Sequence, residues 1–139
     1  MHVTTEAQNF NWLLANFVRS TDGVTHAVAV SSDGLLMAMS EGLSREGGEQ
    51  LSAIVAGIAS LSKSASRRYG MDGLKLVMIE MRRGFVLVSA ISDGSCLGVL
   101  AGSDCDLGLI GHEMTVLCDR VGGLLTPQMI TELKSALPW

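Results

Sequence analysis

Two stretches of this chain are apolar on both faces of a strand, and that restricts the fold more than any other feature. In the run Val24 to Ser31, residues Val24, Ala27, Val28, Ala29 and Val30 put apolar groups on both sides of the two-residue strand period. Phe85-Val86-Leu87-Val88 does the same. Strands of this kind are covered on both sides. The sheet that holds them therefore needs helices above and below it.

Three helical stretches can supply that cover. Residues 5 to 20 carry Phe10, Leu13, Leu14, Phe17 and Val18 on one stripe, with Thr5 and Gln8 at capping-box spacing and Asp22-Gly23 as the stop. Residues 44 to 69 form the longest stretch. Ser44 is its N-cap, Gly47-Gly48 weakens its first turn, and Gly70 ends it. At about 100° per residue, Leu51, Ile54, Val55, Ile58, Ser62, Ala65 and Tyr69 share the side expected to face the sheet. Ala53, Gly57, Ser60 and Ser64 fall on the opposite side, and all are small. The third stretch spans about residues 105 to 121, capped by Ser103 or Asp104 and ended by Gly122-Gly123. Its stripe is Leu107, Ile110, Met114, Leu117, Cys118 and Val121. Thr126-Pro127 opens a short helical tail that runs through Leu137.

The strands follow from turn chemistry. Val24 to Ser31 and Leu35 to Ser40 flank Ser32-Asp33-Gly34 and should form a hairpin. Leu74 to Arg82 and Phe85 to Ile91 are joined by Arg83-Gly84, and Ser95 to Ala101 follows Ser92-Asp93-Gly94. Short connections make these last three an antiparallel meander. The predicted fold is an α/β three-layer sandwich: a five-stranded antiparallel sheet with helices on both faces, in the order α-ββ-α-βββ-α. The 139 residues suit one domain, and no linker, repeat or low-complexity tract divides them.

Composition narrows the partners. Only 17% of residues are charged, against roughly a quarter in a typical domain. A small domain with so little charge has trouble covering its surface with polar groups, which points to a contact with another chain. The net charge of -4 and the lack of any Lys/Arg cluster longer than a pair argue against nucleic acid and against a basic membrane anchor. The apolar stretches are strand-sized and far short of a membrane span. Met1 to Glu6 has no basic start and no apolar signal core. The three cysteines, Cys96, Cys105 and Cys118, lack C-x-x-C spacing and read as reduced thiols in a cytoplasmic protein.

The order of elements, together with local text, resembles the roadblock/LC7 domain family. Asn11-Trp12-Leu13-Leu14 followed by Gly23-Val24-Thr25-His26-Ala27-Val28 resembles the opening of bacterial members. Ser31-Ser32-Asp33-Gly34-Leu35-Leu36 resembles their first hairpin. Gly111-His112-Glu113-Met114 and Asp119-Arg120-Val121-Gly122 resemble their last helix. The chain is most similar to actinobacterial members whose genes lie beside those of a sensor kinase-like protein and a Ras-like GTPase. The resemblance implies a homodimer in which central helices pack together and third strands pair across the two-fold axis. It also implies a bacterial Ras-like small GTPase as partner, whose nucleotide cycle or location the protein would modulate.

The residues bear on both implications. Small side chains let helices approach closely, so Ala53, Gly57, Ser60 and Ser64 suit a helix-helix seam, with Lys75 and Val77 on the strand that would pair. The plainer reading of the small residues is a solvent-facing helix side. Arg45, Glu49, Lys63, Arg67 and Arg68 flank the small-residue stripe and could contact a GTPase. Their plainer reading is solvation, with Arg67 and Arg68 complementing the helix C-terminus. Trp12, off the first helix's stripe, packs under a loop or contacts a partner.

Catalytic chemistry finds no support. His112-Glu113 starts like H-E-x-x-H, but position 116 is Val, so no zinc motif forms. His26 reads as a core or interface histidine and His2 as part of a tail. Asp33 and Asp93 belong to turns, and Cys118 to a helix stripe. No nucleotide-binding motif is present, which fits a regulator of a GTPase better than a GTPase. The expectation is a protein without enzymatic activity, metal or cofactor. The alternative is a small-molecule-sensing module of profilin, PAS or GAF-like architecture, which would need a large apolar pocket.

Overall fold

The computed structural model describes residues 5–123 and 127–135. The elements are α1 (Thr5–Ser20), β1 (Val24–Val30), β2 (Leu36–Met39), α2 (Arg45–Tyr69), β3 (Leu76–Met81), β4 (Gly84–Ala90), β5 (Cys96–Gly102), α3 (Leu107–Gly122) and α4 (Pro127–Ser135). The side chains of Thr5 and Gln8, the His2 tail, the Thr126 cap and the expected end at Leu137 lie outside the described residues.

The five strands form one antiparallel sheet in the order β2-β1-β5-β4-β3. Its two faces sort the apolar runs as their parity requires. Ala27, Ala29, Leu87, Leu97 and Val99 pack beneath α1 and α3, among Phe10, Leu14, Phe17, Ile110 and Met114. Val28, Val30, Val86, Val88 and Cys96 pack beneath α2, among Leu51, Val55 and Ala59. Each run thus feeds two cores, which is why neither alternates with polar residues.

Local chemistry sets the ends of the central helix. The Ser44 hydroxyl accepts from Gly47 N–H at 3.0 Å. Gly70 sits at φ +65° and its N–H bonds the Ser66 carbonyl, a left-handed stop that a glycine takes without strain. Gly48 is buried, and a Cβ there would meet Met39 Sδ at 2.6 Å. The glycine that weakens the first turn is what lets that turn lie on β2.

Most strand ends fall within one residue of expectation, and two element starts differ by two. α3 begins at Leu107 and is capped by Asp106, whose carboxylate accepts from Leu109 N–H at 3.1 Å, not by Ser103 or Asp104. β3 begins at Leu76 rather than Leu74, because Asp72 and Gly73 turn the chain through positive φ just before it. The Lys75 carbonyl still accepts from Ala90 N–H at 3.1 Å, so the ladder reaches one residue further than the strand.

Candidate interaction surface

The face that α2 turns to the sheet differs from the expected one. Its buried residues are Gly48, Leu51, Ser52, Val55, Ala59 and Ser66. Of the expected stripe, Leu51 and Val55 are buried, whereas Ile54 and Tyr69 are 54% and 67% exposed and Ala65 is exposed. The reason is the short helix-to-sheet distance. A Cβ on Gly98 of β5 would lie 2.3 Å from Val55 Cγ2. So close an approach selects small residues for the inner side of the helix, so size is a poor guide to which side faces in.

Ala53, Gly57, Ser60 and Ser64 are exposed, as expected of the outer side. A Cβ on Gly57 would meet nothing within 4 Å. Beside them stand large apolar side chains. Leu61 is 76% exposed and Ile54 54% exposed. Leu61 belonged to neither predicted stripe, and a large aliphatic group left over from both is the signal that could have placed it in the outer face. The outer side of α2 is therefore a mixed surface of small and large apolar residues.

That surface borders β3, at the edge of the sheet. Among the described residues β3 pairs only with β4. Lys75 is exposed at its start, while Val77 is half-buried and packs with Ile58, Leu74 and Ile79 against the α2-side core. Val77 thus serves the protein's own core. Met78 and Met81 are the apolar side chains of β3 that stand exposed.

The charged residues separate. Arg45 and Glu49 form an exposed i,i+4 ion pair at 2.8 Å. Arg68 lies on the outer face, its guanidinium 5.9 Å from the Tyr69 ring centroid. Lys63 and Arg67 instead line a cleft of about 330 Å³ between α2 and the β1–β2 turn. Ala56, Ala59 and Ser60 complete its helical wall. Ser31 to Gly34 form the opposite wall, and Val30 and Cys96, paired across β1 and β5, close its floor. Lys63 Nζ donates to the Gly94 carbonyl at 2.9 Å, and Arg67 donates to the Ser64 hydroxyl at 3.2 Å.

Asp33 sits on the turn wall. Its carboxylate accepts from the Ser31 hydroxyl and from Lys134 Nζ of α4 at 3.1 Å. These bonds hold its carboxyl below the usual carboxylate range. The Ser31 hydroxyl also meets the carbonyl and N–H of Leu35, which fixes the turn. Elsewhere, His26 is half-buried with its ring near Gly42, and Trp12 is 57% exposed on α1. Among the described residues no three His, Cys, Asp or Glu side chains group closely enough to hold a metal ion, and no helix is long and apolar enough to cross a membrane.

Residues 10–101 match the family model of the roadblock/LC7 domain. The chain belongs to the roadblock/LC7 family. A roadblock/LC7 domain from Streptomyces avermitilis is 32% identical, covering 82% of this chain and 95% of that one with a TM-score of 0.77. Myxococcus xanthus MglB shares the fold at 13% identity, with 84% and 94% covered and a TM-score of 0.76. Acanthamoeba castellanii profilin IB shares it at 16% identity, with 83% and 98% covered and a TM-score of 0.60. No curated protein matches. The matched span of this roadblock domain holds α2, β3 and the cleft; α3 and α4 follow it.

Proposed function

We propose that this roadblock protein is a homodimeric, non-enzymatic cytoplasmic regulator that binds a bacterial Ras-like small GTPase and modulates its nucleotide cycle or location. The observation that carries the proposal is the outer surface of α2. Its apolar residues Ile54 and Leu61 run beside the open edge of β3, while the charged residues Arg45, Glu49, Lys63 and Arg67 lie on the other flank of the helix. A second copy would cover the apolar part and satisfy the strand edge. The charged flank would remain for the GTPase. An MglB of the same fold, 14% identical, is found in a tetrameric arrangement, which is consistent with a scaffold suited to self-association.

The core beneath α1 and α3 speaks against an apolar sensing pocket buried between those helices and the sheet. The apolar space lined by Phe10, Leu14, Ile91, Leu97, Leu117 and Val121 has no room for a water molecule. The helices close over this face instead of enclosing a ligand.

The test is co-purification with the Ras-like GTPase encoded nearest to this gene, loaded in turn with GDP and with a non-hydrolysable GTP analogue. Retention in at least one state supports the reading, and a change in hydrolysis or nucleotide release separates regulation from scaffolding. Absence of binding in both states overturns it.

A further inference from the structure

The cleft between α2 and the β1–β2 turn carries two cations, Lys63 and Arg67, without a carboxylate partner among the described residues. Asp33, an acid that lines the cleft, is already engaged by Lys134 and Ser31. Lys63 offers three N–H donors and Arg67 five, of which the Gly94 carbonyl and the Ser64 hydroxyl take one each. The helix C-terminus accounts for Arg67, which stands in the last turn. It does not account for Lys63, which is half-buried and reaches across the cleft to Gly94.

The rest of the cleft has the features of a small-ligand site. Its volume of about 330 Å³ falls at the lower end of the range of roughly 300–1,000 Å³ for such sites. Val30, Ala56, Ala59 and Cys96 offer an apolar floor and wall, with Ser32 and Ser60 also lining it. The walls are held in place. Gly34 and Ala56 are close enough that a Cβ on the glycine would lie 3.6 Å from the alanine methyl, and the Ser31 bonds lock the turn.

We infer that this cleft binds a small organic anion, its carboxylate or phosphate held by Lys63 and Arg67 and its carbon body lying on the Val30–Cys96 floor. The arginine fork fits a planar carboxylate or two phosphate oxygens, and the lysine adds a point charge deeper in the cleft. The site shares Lys63 and Arg67 with the flank proposed to face the GTPase, but its test uses this chain alone and stands or falls whether or not that partner binds.

The test is an NMR titration of the full chain with citrate and, separately, inorganic phosphate, at ionic strength kept constant with chloride. The expected result is saturable shifts with at least one anion, confined to amides of residues 31–34, 59–67 and 94. In Lys63→Gln/Arg67→Gln the affinity should fall at least about tenfold, because the charge-assisted bonds to the anion are lost. Arg68→Gln removes a neighbouring cation outside the cleft and should bind as the parent does. Ser32→Leu keeps both charges but crowds the cleft, and should also lose binding. No saturable shift with either anion overturns the inference. So do shifts spread over Arg19 and Arg120 that persist in the double variant, or equal losses in Arg68→Gln.

Discussion

At the scale of single residues, the sequence separates structural thiols from reactive ones only in part. Cys118 lies on the inner stripe of α3, and its thiol donates to the Ser89 hydroxyl at 3.6 Å. Burial, with Asp119 and Cys96 adding to it, pushes the thiol up to about 11 from its ordinary value near 9. Burial pushes Cys96 in the same direction, against the pull of Lys63. Both are therefore protonated at neutral pH and poor nucleophiles. A raised thiol pKa also makes stability depend on pH. Below about pH 9 the thiol is protonated in both states, and the native state keeps its full stability. Between about pH 9 and 11 the unfolded chain ionises first, so stability falls as pH rises, by about 2–3 kcal/mol for a two-unit shift. Urea unfolding of the parent and Cys118→Ala at several pH values checks this. The variant starts lower at pH 7 because of its cavity, yet its decline across the alkaline limb should be shallower. Parallel declines would show that Cys118 contributes nothing to it.

At the scale of elements, helix α2 and strand β5 show what the sequence could reveal and what it could not. Gly98 lies in the middle of β5, directly below Val55, which is fully buried. Valine has little rotamer freedom in a helix, so the helix cannot yield cheaply. Gly98→Ala should therefore cost about 1–3 kcal/mol by overpacking. Adding Val55→Ala should recover part of that loss, so a double-mutant cycle by urea unfolding should give a coupling energy above about 0.5 kcal/mol. Additive losses would mean that the contact does not set the helix height. The same contact explains why the inner side of α2 departs from the expected stripe. Capping signals such as Ser44 and Gly70, and turns such as Ser32-Asp33-Gly34, act over a few residues and were legible. So was the two-sided burial of Val28, Ala29 and Val30, which requires only strand parity. The orientation of α2 depends on Gly98, far away in sequence, and on Gly48 meeting Met39. Those contacts favour Ser52, Ala59 and Ser66 inside and leave Ile54 and Tyr69 outside. The cleft was equally hidden, because Lys63 and Arg67 read as a charged flank until the turn and Gly94 are placed opposite them.

At the scale of the whole molecule, the outer side of α2 and the edge of β3 make a prediction about assembly. A lone copy leaves Ile54, Leu61, Met78 and Met81 exposed beside a strand edge that no described residue pairs, an arrangement prone to aggregation. Pairing about a two-fold axis would cover the same patch on both copies. Gly57 probes this well, because an added side chain there meets no atom of its own chain within 4 Å. Within one copy, Gly57→Leu should even stabilise the helix, by about 0.5–1 kcal/mol through propensity. In a tight helix-helix seam it should act in the opposite sense and force the copies apart. Leu61→Lys should do the same by placing a charge in the seam, again without touching the core, since Leu61 is 76% exposed. The expected outcome is a parent dimer by light scattering and monomers for both variants, with helical circular dichroism retained. Retained helicity matters because it separates a lost interface from a lost fold. Dimers of unchanged strength in both variants would take this face of α2 out of the interface.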